Sequence, residues 1–291
     1  MIVDDTRAQG VASEASEASE ARGSIADIEI ALLLDGVARL SGYEFREYAP
    51  TLLKRRVTER VRVEGARTIT GLLERIVHDP AARDALVYAL TTTPSLPFRD
   101  PATFAAFAGE IVPRLRTYPF FRIWVAGNAA DAYGFAILLD EANVLGRARI
   151  YATEATESGL SEAKSGLLRP DALAGIEERY RAAGGRANVE AYIERNATDV
   201  RFAPHLGERI LFARHDLASE GSFNAFETVV VRTSLAAYGR TLAYRVHRTL
   251  YESTARLGFL CVSSPDGLLA SPHRGAFEAL PSCDAIYRRV R

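Results

Sequence analysis

The second half of the chain has a rhythm that few folds accommodate. From Phe120 onward the apolar runs FFRIWVAG, ARIYATE, ERILFARHD, FETVVVR and GFLCVSS alternate with helix-like stretches, GFAILLDEANVL, ESGLSEAKSG and LAYRVHRTLYESTA. Short Val- and Ile-rich runs separated by helical patterns predict an α/β domain, a mostly parallel sheet with helices on both faces. IYRRV supplies a final strand. Ligands of such sheets bind beyond the carboxyl ends of the strands, so the loops at those ends decide function.

Residues 25–92 predict a different object, a small all-helical domain. IADIEIALLLDGVARLSG has apolar residues at helical spacing and stops at Gly42. YEFREYAPTLLKRRVTERVRVEG places Leu53, Val57 and Val61 toward a core and Arg55, Glu59 and Arg62 away from it. TITGLLERIV and PAARDALVYAL give two more helices. Residues 93–118 follow as a linker, TTTPSLPFRDP, and a helix, PATFAAFAGEIVPRL, and the α/β domain fills 119–291. Residues 1–24 carry the repeat ASEASEASEA, have nothing with which to pack a core, and read as a disordered low-complexity tail.

Composition removes several classes of function. A formal net charge of -1 gives no bulk basic excess for nucleic acid. The two cysteines, Cys261 and Cys283, lie in separate segments, and the five histidines form no HxxH or HExxH, so no metal site is expected. No apolar run approaches the roughly 20 residues of a membrane helix. The tail is too acidic and Ser-rich for a signal peptide, which makes the cytoplasm the expected location.

Several of these segments together carry a family likeness. RIWVAG, AILLDEA, YATEATESGLSEAKSGLL, VRFAPHLGERILFARHDL and FETVVVRTSLAAYGR occur in order, preceded by a Phe45/Tyr48 helix with LLKRR and by PFRDPATF, and followed by AIYRR. Over roughly residues 30–290 the chain resembles the CheR chemoreceptor methyltransferases. The resemblance implies a helical N-terminal domain and a Rossmann-like methyltransferase domain. The latter carries a small antiparallel β-subdomain near residues 169–212. It also implies S-adenosylmethionine (SAM) as cofactor and methyl esterification of glutamates on chemoreceptor coiled coils. A glutamate is already a nucleophile at neutral pH, so rate comes mainly from holding its oxygen in line with the sulfonium methyl. Cofactor binding is then nearly the whole mechanism.

The cofactor positions that the resemblance implies have mostly changed. After RIWVAG the family has a strand-end Gly, a second Gly, two glutamates, a Pro and a Tyr; here Gly127 remains, followed by Asp131, Ala132, Tyr133, Gly134 and Phe135. Asp131 either removes room for the ligand or takes over the acidic role, and Tyr133 could fill the vacated cleft. In ATEAT, Glu154 stands where an Asp would meet the ribose, and Thr156 replaces a second acid; Glu154 could equally be a solvated strand-end carboxylate. The adenine-side pair is Asp216-Leu217 in place of Asn-Leu, and Asp216 could simply cap a turn. After FETVVVR, Arg232 is kept, Thr233 replaces Asn, and Ala237 replaces a Tyr near the transferred methyl. In the linker, Ser95 keeps a hydroxyl. Arg99 could orient a substrate carboxylate or serve as a structural ion-pair partner.

Structural positions match while polar cofactor positions do not, and misalignment would not spare one class. The expectation is a CheR-like chemosensory protein that has lost its SAM site and acts by binding a protein or a nucleotide-type ligand. The alternative is an active SAM-dependent glutamate methyltransferase with a rebuilt pocket. Arg99 and Arg232 are also candidates to hold a phosphorylated ligand. Lys54, Arg55, Arg56, Arg60, Arg62 and Arg67 would face a receptor or other signalling partner, or else form a solvated face paired with Glu59 and Glu64. No aromatic residues interleave with them to stack bases.

Overall fold

The computed structural model describes residues 25–92, 96–264 and 268–291. The low-complexity tail and Ser95 lie outside the described residues. The chain divides into two compact units, Met1–Leu90 and Thr91–Arg291.

The first unit is all-helical: α1 (residues 25–41), α2 (Pro50–Val63), α3 (Ile69–His78) and α4 (Pro80–Thr91), the last ending one residue past the boundary. Leu33, Val37, Leu53, Val57, Leu72, Ile76 and Leu86 are buried at helical spacing and form its core. α1 ends where Gly42 turns left-handed at φ +77. Thr68 caps α3, its hydroxyl accepting from the Gly71 N–H at 3.0 Å. The helix expected to include Phe45 and Tyr48 instead starts at Pro50. Proline suits the first helical position and holds the preceding Ala49 extended. Phe45 and Tyr48 lie in the turn before it, buried edge to face at 5.1 Å.

The second unit is α/β. Its sheet runs in the order β5-β2-β1-β6-β7-β9-β8, made of β1 (Phe121–Ala126), β2 (Ala148–Glu154), β5 (Ile210–Arg214), β6 (Phe226–Val231), β7 (Thr254–Cys261), β8 (Phe277–Leu280) and β9 (Cys283–Arg289). Strands β5 through β7 in that order are parallel, and β9 is antiparallel to both neighbours. Helices α7 (Ala132–Glu141), α8 (Glu157–Ser165) and α12 (Arg240–Ser253) connect the parallel strands. α5 (Pro101–Ala106) continues through a π turn at Phe107–Ile111 into α6 (Val112–Leu115) and precedes β1. Trp124 is fully buried, edge-on to His215 and Phe223, and its indole N–H donates to the Thr153 hydroxyl at 2.9 Å.

An excursion between β2 and β5 contains α9 (Pro170–Leu173), α10 (Ile176–Ala182), the antiparallel pair β3 (Ile193–Arg195) and β4 (Val200–Phe202), and α11 (Pro204–Gly207). The expected insert ran to Phe212. Ile210–Phe212 belong instead to β5, because ILFAR pairs in register with β2 at the edge of the main sheet.

Candidate functional site

The strand order reverses at β1, with β2 on one side and β6 on the other. A crevice at such a switch point is where open parallel sheets place ligands. Three loops meet there: Gly127 to Asp131 after β1, Glu154 at the end of β2, and Arg232-Thr233 after β6.

Gly127 has φ +69, a backbone shape that side chains disfavour, and its N–H donates to the Thr153 carbonyl at 3.0 Å. The space beside it is filled: a Cβ on Gly127 would lie 2.0 Å from the Thr233 Oγ1. That hydroxyl donates to the Gly127 carbonyl at 3.2 Å.

Glu154 is only 3% exposed. Its Oε1 accepts from the Ala129 N–H at 2.8 Å, and its Oε2 accepts from the Thr92 hydroxyl at 3.1 Å. Burial pushes its carboxyl up to about 7, against the pull of the Ala129 and Thr92 hydrogen bonds and with the help of nearby Asp131 and Glu162. Asp131 is likewise 3% exposed, and its Oδ2 accepts from the Arg232 Nε at 2.5 Å. Arg232 also lies 3.6 Å from Asp100 and sits over the Phe104 ring. Burial pulls its guanidinium down, but the Asp131 carboxylate, then Asp100, more than offset this and the net direction is up.

Two family models cover most of this chain. One, described as "CheR methyltransferase, all-alpha domain", matches residues 28–91; the other, "CheR methyltransferase, SAM binding domain", matches residues 94–282. The chain belongs to the CheR methyltransferase family. This CheR-family protein is 34% identical over 265 residues to a Pseudomonas putida protein named Cher3 and described as a candidate methyltransferase. The match spans 90% of this chain and 97% of that protein. It is 22% identical over 237 residues to a chemotaxis protein methyltransferase of Listeria innocua, spanning 80% of this chain and 87% of the relative. An uncharacterized 104.1 kDa protein of Rhodobacter capsulatus is 25% identical over 301 residues, all of this chain but 30% of that one.

The CheR family implies SAM, and at the positions where the resemblance places it the polar side chains of this CheR chain are bonded within the protein. Each Glu154 oxygen accepts one hydrogen bond from within the protein, and the side chain is buried. The Asp131 carboxylate is bound to Arg232, and Thr233 occupies the room that Gly127 leaves.

The remaining positions sort themselves by their contacts. Asp216 caps a turn: its side chain accepts from the Ala218 N–H at 2.9 Å and the Ser219 hydroxyl at 2.7 Å, while Leu217 is buried. Tyr133 does not fill the crevice. It stacks on Phe202 of β4 at 4.6 Å, and its hydroxyl donates to the Lys164 carbonyl at 3.5 Å. Arg99 is exposed and follows Phe98, which is fully buried at φ +58 against Phe104 and Tyr180. Arg232, paired with two carboxylates, is not free to take a phosphorylated ligand.

On α2 of this CheR chain much of the positive charge is answered within the helical unit. Lys54 pairs with Asp27 at 2.9 Å, Arg56 donates to the Leu90 carbonyl, Arg60 pairs with Glu64 and Arg62 with Glu59. Arg55 and Arg67 are exposed.

Sequence reasoning missed Thr92, Asp100 and the Ala129 N–H. Asp100 sits beside Arg99 in PFRDP, a visible signal, but the run Thr91-Thr92-Thr93 offers three equivalent hydroxyls. Among the described residues no cluster of His, Cys, Asp and Glu could hold a metal, and no helix is long and apolar enough to cross a membrane.

Proposed function

We propose that this CheR-family protein serves a chemosensory pathway by binding a protein partner and does not use SAM as a methyl donor. One observation carries the reading: the acids that would meet the cofactor, Glu154 and Asp131, are buried and bonded to Ala129, Thr92 and Arg232. Opening the site would mean breaking a buried ion pair, which costs several kcal/mol that ligand binding would have to repay. Receptor-type partners are suggested by the chemotaxis methyltransferases among the relatives. Exposed Arg55 and Arg67, with the paired residues Lys54, Arg56, Arg60 and Arg62, make α2 and the turn that follows it the first surface to test.

The competing reading is a SAM-dependent protein-glutamate methyltransferase with a rebuilt pocket. Retention of Gly127 and of an acid at position 154 favours it. Calorimetry of the full chain with SAM and S-adenosylhomocysteine separates the two. The proposal expects no heat at millimolar ligand, and micromolar binding of either compound overturns it.

A further inference from the structure

A second cleft lies in the α/β unit at the amino end of β6, the end opposite Arg232. It encloses about 210 Å³ and is lined by Arg114, Tyr118, Glu227, Leu257, Phe259 and Arg288, among others. We propose that this cleft binds a small anion through a phosphoryl group.

Three independent features point to it. First, the Arg288 Nε is buried and has no hydrogen-bond partner among the described residues. An unmet buried donor on a charged group is costly, and Arg288 is one of the residues that line the cleft. Second, a second guanidinium is available. Arg114 lines the same cleft over the Phe259 ring; its Nη1 donates to the Glu110 carbonyl and pairs at 3.1 Å with the half-exposed Glu110 carboxylate, an ion pair weak enough to yield. Third, the backbone is strained where the cleft forms. The β6–β7 register breaks between Phe226 and Thr228, and Leu257 is held at φ +66. Gly258 is packed so that a Cβ would lie 2.9 Å from the Glu227 carbonyl oxygen. A left-handed Leu is strained and persists when the surroundings impose it, often at a binding site.

The charges agree with an anionic ligand. Glu227 faces the cleft, but its carboxylate already accepts from the Arg122 N–H at 2.6 Å and lies 3.8 Å from that guanidinium. The helix-end carbonyls nearby are also engaged: Arg114 O accepts from the Thr117 hydroxyl, and Tyr118 O from Arg147. Arg114 and Arg288 line the cleft from different elements, and donors spread in this way suit the tetrahedral oxygens of a phosphoryl group better than a planar carboxylate. The volume is below the roughly 300 Å³ of drug-sized sites, which points to free phosphate or a small phosphate ester.

Phosphorus NMR titration of the full chain, with inorganic phosphate and separately with glycerol 2-phosphate, tests this. Saturable binding with Kd below about 1 mM for at least one probe is expected, and whichever binds more tightly identifies the source. Acetate should not compete. Arg288→Gln should weaken binding about tenfold. Arg114→Gln, on a separate and more exposed element, should also weaken it and serves if the first variant does not fold. Arg256→Gln, an exposed arginine on β7 outside the lining, should bind like the parent. Absence of saturation with both probes, or unchanged affinity in both the Arg288 and Arg114 variants, overturns the proposal.

Discussion

Asp131 and Arg232 stand 101 residues apart in the chain and 2.5 Å apart in space, each almost fully withdrawn from water where β1 and β6 end. The pair converts two groups expected to face a ligand into one internal bond. Breaking a buried pair from one side leaves an uncompensated charge, whereas replacing both partners with apolar residues is often tolerated. Asp131→Ala should therefore lower unfolding free energy by about 3–5 kcal/mol in a urea titration. The double variant Asp131→Leu with Arg232→Met should lose less than either single change.

Glu154 sets a pH dependence. Its carboxyl lies at about 7 in the folded protein against an ordinary 4.5, chiefly because it is buried. Below the ordinary value it is protonated in both states. Between the two values the folded protein holds a proton that the unfolded chain has released. Stability is thus fully present at low pH and is lost as pH rises through about 7, by about 3 kcal/mol in this one contribution. Glu154→Gln keeps an acceptor for the Ala129 N–H and offers an N–H to Thr92, whose hydroxyl would turn from donor to acceptor. Thermal melts at pH 4.5 and pH 8 should show the variant gaining on the parent only at the higher value.

Gly127→Ala meets two obstacles, a positive φ and the Thr233 hydroxyl. It should cost roughly 2–3 kcal/mol in chemical denaturation, combining left-handed backbone strain with overpacking. Adding Thr233→Ala should recover the packing part and leave about 1 kcal/mol of backbone strain.

Tyr133, two positions after Asp131, can be tested for its part in packing. Its hydroxyl contact is long, so Tyr133→Phe should cost under about 1 kcal/mol. Tyr133→Ala removes the ring stacked on Phe202 and should cost about 3–5 kcal/mol. Proteolysis of the β3–β4 region checks that the loss is felt there.

The sheet was legible because its central strands are written plainly. Phe121–Ala126 and Phe226–Val231 are buried almost throughout, so no polar alternation obscures them. β8 was missed because Phe277–Leu280 is four residues long with an exposed middle, and only its pairing with β9 makes it a strand. Within the site, the turn at Asp216 was one of two readings open from sequence, and the Asp216 side chain does accept from Ala218 and Ser219. The Asp131–Arg232 bond and the choice of Thr92 among adjacent threonines depend on the closing of the sheet, which no local pattern encodes. Tyr133 misled for the same reason: its ring direction is set by Phe202, 69 positions downstream in the numbering.

Trp124 is the chain's sole tryptophan, and its indole hydrogen-bonds Thr153, the residue before Glu154. Nature has thereby placed one optical probe beside the crevice and none among the helices of the first unit. Emission excited at the red edge, where tyrosine is dark, would follow the melting of the sheet alone. Comparing it with far-ultraviolet circular dichroism, which sums over all helices, would reveal whether the two units come apart together or in sequence.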